Sequence, residues 1–180
     1  MYHQIILAAS LSAASTLQPQ IEISARGNAA PAPSAFHAQI RTNLVTSVSG
    51  EAEFGVVVTG ESRPAALVIS LGVSSHDGAV LFTRKTGAPL EVGRYRVSES
   101  ADDADEILAL VTTGAANQPT GVYWGRSGWL VVTASSRGNI RGYFEVEGMG
   151  FRAKQPSRED RSMSVSGSFS ANLASRSWSK

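Results

Sequence analysis

Apolar residues recur at every second position along much of the chain, and turn-forming residues cut that alternation into short runs, the pattern of half-buried β-strands. Ile40, Thr42, Leu44, Thr46 and Val48 share one side of an extended run against Gln39, Arg41, Asn43 and Ser47, which predicts one strand ended by Gly50. Ala52, Phe54, Val56 and Val58 form the next inward row, opposite Glu53, up to the break at Gly60-Glu61-Ser62-Arg63-Pro64. Leu67, Ile69, Leu71 and Val73 form a third row. Ser74-Ser75-His76-Asp77-Gly78 then predicts a tight hairpin, because Asp-Gly supplies the positive φ values of a primed turn, and the return strand runs from Ala79 to Arg84. Tyr95 and Val97 mark a short strand after Gly93, before an acidic loop that ends at Glu106.

Ile107-Leu108-Ala109-Leu110-Val111 is unbroken and apolar. A strand buried on both faces explains it, as does the first part of a short helix; Thr112-Thr113-Gly114 directly after it favours the strand. Past a turn at Asn117-Gln118-Pro119, the reading is Val122-Tyr123-Trp124, a turn at Gly125-Arg126-Ser127-Gly128, and a strand from Trp129 to Ser135. The last hairpin has the clearest pattern. Ile140, Phe144 and Val146 alternate with Arg141, Tyr143, Glu145 and Glu147, and Met163, Val165, Phe169 and Ala171 alternate with Ser164, Ser166, Ser168 and Ser170. A slip of one residue would bury a column of serines and glutamates, so this pairing is strongly specified. The expected fold is all-β, a single antiparallel β-sandwich or barrel of about eight or nine strands.

Residues 1–20 read as a signal peptide. Their apolar run, Ile5 to Ala14, is too short to span a bilayer and is followed by small residues suited to cleavage, although Met1-Tyr2-His3-Gln4 carries no Lys or Arg. Residues 21–35 read as a linker containing Arg26-Gly27-Asn28-Ala29-Ala30-Pro31-Ala32-Pro33, which leaves 36–175 as the β-domain. The expected location is extracytoplasmic: periplasmic, cell-surface or secreted. No stretch has the length of a transmembrane helix.

Composition narrows the chemistry. With 42% hydrophobic residues in 180 the chain can bury a core, and 16 Lys and Arg against 15 Asp and Glu offer no excess charge for a nucleic acid. The absence of cysteine excludes disulfides, thiolate metal sites, a thiol nucleophile and a lipidated N-terminal cysteine. No cofactor motif occurs.

Gly142-Tyr143-Phe144-Glu145-Val146 and Val165-Ser166-Gly167-Ser168-Phe169-Ser170-Ala171, with Ser127-Gly128-Trp129-Leu130-Val131 upstream, resemble the closing strands of uncharacterised exported bacterial all-β domains that end in a Gly-x-Phe-x-Ala strand. The resemblance covers roughly the last third of the chain. It implies a fold and a compartment, with no activity and no functional residue; the missing lipobox cysteine departs from those members that are lipoproteins.

Three groups of residues are candidates for a site. Tyr123, Trp124 and Trp129 could form an aromatic platform for a sugar ring or another flat ligand, or else pack in the core or as a cross-strand pair. Asp102, Asp103, Asp105 and Glu106 could supply oxygens to a hard cation such as calcium, but they lack the spacing and glycine of an EF-hand, so a solvated acidic loop is the simpler reading. Arg152, Lys154, Arg158 and Arg161, interspersed with Glu159 and Asp160, decorate the last hairpin's loop, where they keep it soluble or make an anionic contact. A catalytic triad would need His37 or His76 beside an activated serine, and no Gly-x-Ser-x-Gly elbow occurs.

These observations lead to an expected function of a non-enzymatic binding or structural accessory of the cell envelope, with an envelope component or carbohydrate as partner and no cofactor. The alternative is a small lipocalin-like carrier holding an apolar ligand inside a barrel lined by Phe54, Leu67, Ile69, Phe144 and Phe169.

Overall fold

In the computed structural model of the protein, the residues described are 33–58, 64–72, 74–115, 118–152, 162–174 and 178–179. The signal-peptide segment, most of the linker, Gly60 to Arg63, Val73, Asn117 and the charged loop from Lys154 to Arg161 lie outside them. The strands are β1 (Ala35–Arg41), β2 (Val45–Gly50), β3 (Ala52–Val58), β4 (Pro64–Leu71), β5 (Gly78–Arg84), β6 (Gly93–Val97), β7 (Glu106–Ala115), β8 (Gln118–Ser135), β9 (Asn139–Arg152), β10 (Ser162–Leu173) and the two-residue β11 (Trp178–Ser179). The described residues contain no helix, so the fold is all-β and the apolar run after Glu106 is a strand.

All strands belong to one sheet, in which β3, β4, β5, β7, β8, β9 and β10 follow one another by hydrogen bonding and β10 returns to β3, closing a ring. The sheet is mixed rather than purely antiparallel. β3 lies parallel to the end of β10 and to β11, and β6 lies parallel to the start of β7. The second parallel contact arises because the acidic loop folds back on itself within eight residues, 98–105, instead of crossing to an antiparallel neighbour.

Two local expectations change. The run from Gln39 to Val48 is a hairpin, not one strand: at Thr42 the backbone N–H donates to the Leu44 carbonyl (2.8 Å) and turns the chain, so β2 folds back along β1. Conversely, no turn occurs at Gly125-Arg126-Ser127-Gly128. There β8 runs straight through, with one register irregularity against β9 inside that stretch, between Gly125 and Ser127, and another further on, between Val132 and Ala134. At Gly125 the strand leaves β7, to which it is paired from Gln118 to Trp124, and takes β6 as its neighbour from Trp129 onward. A Cβ at Gly125 would stand 2.8–2.9 Å from Val97, Ala109 and Val146, so the point where three strands diverge has room for glycine alone.

Inside the ring the apolar rows expected from alternation meet in one cluster. Phe36, Ile40, Ala52, Leu67, Ile69, Leu71, Val80, Val111, Phe144, Val146, Val165 and Ala171 are all buried in it. Phe82 on β5 and Phe144 on β9 reach across the interior to an edge-on contact, their centroids 5.2 Å apart, and Phe169 packs against Phe144 at 6.4 Å. β4 and β5 pair as the expected hairpin, with Leu71 opposite Val80, but the connection between them runs from Leu71 to Gly78 and its positive φ values stand at Gly72 (75°) and Gly78 (149°), not at Asp77, so it is wider than a tight primed turn.

Candidate functional site

The expected aromatic platform is split. Tyr123 faces inward and is fully buried, whereas its neighbour Trp124 faces outward and is 51% exposed. Trp129 also faces outward, but the Arg94 guanidinium lies 3.5 Å from its ring centroid and covers one face. The sheet therefore does not bring the three rings together.

Trp124 instead belongs to a feature spread over four strands. Register places Leu81 of β5 opposite Leu110 of β7, Leu110 opposite Trp124 of β8, and Trp124 opposite Met149 of β9. All four alternate with buried neighbours and so stand on the outside of the ring. Leu108 and Thr83 form a second, shorter row on one side, and Phe151 lies on the other, its ring tilted against Trp124 with centroids 5.7 Å apart. These side chains line an open groove of about 770 Å³. Arg126 and Glu99 stand at its rim, joined by an ion pair of 2.7 Å, and Arg126 also reaches the Met149 sulfur at 2.8 Å.

Sequence reasoning missed Leu81, Leu108, Leu110, Met149 and Phe151 as site residues. A signal existed in the run Ile107 to Val111. Ile107, Ala109 and Val111 fill the core, while Leu108 and Leu110 point the other way, into the groove. An apolar residue on both faces of a strand calls for apolar contacts on both, and here Leu108 and Leu110 are left partly exposed as the lining of the groove.

The acidic loop is organised around one of its own carboxylates. Glu106 is buried at the start of β7, where it accepts hydrogen bonds from the Ser98 hydroxyl (3.1 Å) and the backbone amides of Asp102 (3.0 Å) and Asp103 (3.4 Å), and pairs with Arg96. Asp102 pairs outward with Lys85 at 2.7 Å; that hydrogen bond first, then one from Ser100, holds its carboxyl below the usual range. The four acidic residues do not converge, and among the described residues no group of three His, Asp or Glu side chains could hold a metal ion. The loop is closed by bonds from its own backbone to the Glu106 carboxylate, which turns that group inward.

Of the two histidines considered for hydrolysis, His76 is exposed in the β4–β5 turn, and His37 faces outward on β1, opposite Ser49 of β2 and Ser168 of β10. Arg152 donates from the end of β9 to the Thr42 hydroxyl (2.7 Å) and to the Asn43 amide oxygen, tying β9 to the β1–β2 turn. Comparison with protein families, curated proteins and solved structures finds no match to this chain. Among the described residues, no helix is long and apolar enough to cross a membrane.

Proposed function

We propose that this chain is a non-enzymatic binding domain acting outside the cytoplasm, as an accessory of the cell envelope, and that its ligand is a small apolar molecule seated in the external groove. One observation carries this reading: the in-register row Leu81–Leu110–Trp124–Met149 on a face where alternation calls for polar residues. A groove of about 770 Å³ is in the size range of small-molecule sites. In the acidic loop Glu106 is engaged with its own backbone and with Arg96, and Asp102 with Lys85, which leaves the apolar row as the feature of this surface that a ligand would meet.

The alternative of a carrier with an internal ligand is less favoured. Phe54, Leu67, Ile69, Phe144 and Phe169, the side chains that would line such a cavity, pack in one cluster with rings meeting across the ring of strands. An apolar molecule finds its exposed partners on the outside.

The neutral fluorophore N-phenyl-1-naphthylamine tests the proposal. Saturable enhancement of its emission is expected with the full chain, and Leu110→Ser or Trp124→Ser should weaken it by about ten-fold, a loss of about 1.4 kcal/mol. Both side chains are partly exposed, so circular dichroism should be unchanged. Unsaturable binding, or equal binding by both variants, would refute the assignment.

A further inference from the structure

The outer face on the other side of the sheet has a different character. Two rows of outward side chains run in register across six strands in the order β2, β1, β10, β9, β8, β6. The first reads Ser47, Gln39, Ser166, Glu145, Trp129, Arg96, and the second Ser49, His37, Ser168, Tyr143, Val131, Arg94. Two surface hollows lie along these rows, one of about 430 Å³ bordered by His37, Gln39, Ser47 and Ser49, the other of about 520 Å³ bordered by Arg94, Trp129, Tyr143 and Glu145. Ser166 and Gly167 border both, so the hollows adjoin at β10 and lie end to end along one furrow of the sheet's outer face.

From this furrow we infer a second binding surface, for a linear, uncharged polysaccharide. Its length sets the first constraint: six strands at about 4.8 Å spacing span about 24 Å, room for an extended chain of roughly four or five sugar rings and far more than one ring needs. Chemistry sets the second. Serine hydroxyls, the Gln39 amide and the His37 imidazole offer donors and acceptors to hydroxyl groups at one end, while Tyr143, 54% exposed, and Trp129, 37% exposed, offer aromatic edges and faces to the C–H side of a sugar at the other.

Charge sets the third. Within the furrow Glu145 and Arg94 border the same hollow with opposite charges, and Arg96 is paired with the buried Glu106, so the formal charges along it cancel and offer no net field to draw in an acidic or a basic chain. The complement of such a surface is polyhydroxylated and neutral. An equatorially linked chain, flat, with axial C–H bonds on its faces and hydroxyls along its edges, matches a face that is polar along its length and aromatic at one end. Arg94, exposed above Trp129, must swing aside to admit a ring there, a small displacement for a solvent-facing side chain.

Isothermal calorimetry with cellohexaose and chitohexaose tests the inference on the full chain. Expected is saturable binding of at least one hexasaccharide, about ten-fold weaker for the corresponding disaccharide, and about ten-fold weaker again in Trp129→Ala or Tyr143→Ala. Ser166→Arg fills the middle of the furrow from an exposed position and should abolish binding without altering the fold, which covers the case in which loss of an aromatic ring unfolds the protein. Trp124→Ser in the apolar groove should leave sugar binding unchanged, so the two surfaces stand or fall separately. Absence of heat with both hexasaccharides, preference for a polyuronate of the same length, or binding that survives Ser166→Arg would each overturn the inference.

Discussion

Glu106 is buried, and burial by itself raises a carboxyl's pKa, the largest single influence on it. The Asp103 amide, the Ser98 hydroxyl, the charge of Arg96 and the Asp102 amide together outweigh that penalty and hold the group below the ordinary carboxylate range. The sign of the linkage follows. A carboxyl depressed in the folded state contributes stability above its unfolded pKa, and that contribution is lost as pH falls through the folded value. Glu106→Gln removes the charge and presents an NH₂ to groups that are themselves donors. The variant should melt below the wild type at neutral pH, and the gap should close as pH falls through and beneath the ordinary carboxylate range. Thermal melts of both proteins between neutral and strongly acid pH decide it; a gap independent of pH would show that the ionised form is not what holds the loop. Loss of the latch should also loosen Glu99, and with it the Arg126 side chain at the rim of the apolar groove, since the 98–105 loop carries that partner.

At the scale of the element, β8 does the work of two strands because glycine lets it change neighbours. Gly128 has a φ of 125°, and a Cβ there would collide with the Glu145 carbonyl of β9. Gly128→Ala should therefore cost about 2–4 kcal/mol, within the range of strained or overpacked substitutions. Gly138→Ala, in the β8–β9 turn with nothing within 4 Å of the new methyl, should stay within about 0.5 kcal/mol of wild type. Urea unfolding midpoints of the two variants check both values, and equal effects would refute the role given to Gly128. Gly128 and Gly125 also explain why the sequence predicts a turn in this element: around Arg126-Ser127 they have the composition of one, and only the third strand, β6, entering at Trp129, makes a continuous strand the better solution. The β1–β2 hairpin failed for the opposite reason. Thr42 and Leu44 keep the alternation unbroken through the turn, although Leu44 is 63% exposed. The final hairpin was legible because its serine column leaves one face no alternative to water, and Met163, Val165, Phe169 and Ala171 are buried as the pattern requires. The candidate site was legible only in Trp124, since a row such as Leu81–Leu110–Trp124–Met149 is assembled from four strands and leaves no local motif.

For the whole molecule, the decisive feature is how unevenly the ring is held. β8 and β9 pair from Gly121 to Ser135, and β9 and β10 from Asn139 to Met149, long ladders on either side of the β9 core residues Phe144 and Val146. Among the described residues, the return from β10 to β3 rests on Asn172 opposite Glu53 and Leu173 opposite Phe54, with one further bond from the Ala174 N–H to the Phe54 carbonyl (2.8 Å). Asn139 reinforces that end: its side-chain amide donates to the Ser170 hydroxyl (3.1 Å), the Ala171 carbonyl (3.1 Å) and the Asn172 amide oxygen (2.8 Å). A ring with one short closure opens there first, because breaking a few hydrogen bonds at the end of β10 exposes little of the apolar cluster, whereas separating β8 from β9 exposes its centre. Native-state hydrogen exchange followed by NMR should then show the Ala174 amide exchanging through a local opening, while amides in the β8–β9 ladder exchange only with global unfolding. Asn139→Ala should accelerate exchange at Ala174 and leave the β8–β9 ladder's exchange limited by the global event. Equal protection at both places would mean that the closure is as strong as the ladders. The comparison bears on function as well: the apolar groove lies on strands other than β3 and β10, and the furrow crosses β10 at Ser166 to Ser168, short of the closing residues Asn172 and Leu173, so ligand in either should leave the opening rate at Ala174 unchanged, whereas an apolar molecule held inside the ring would have to slow it.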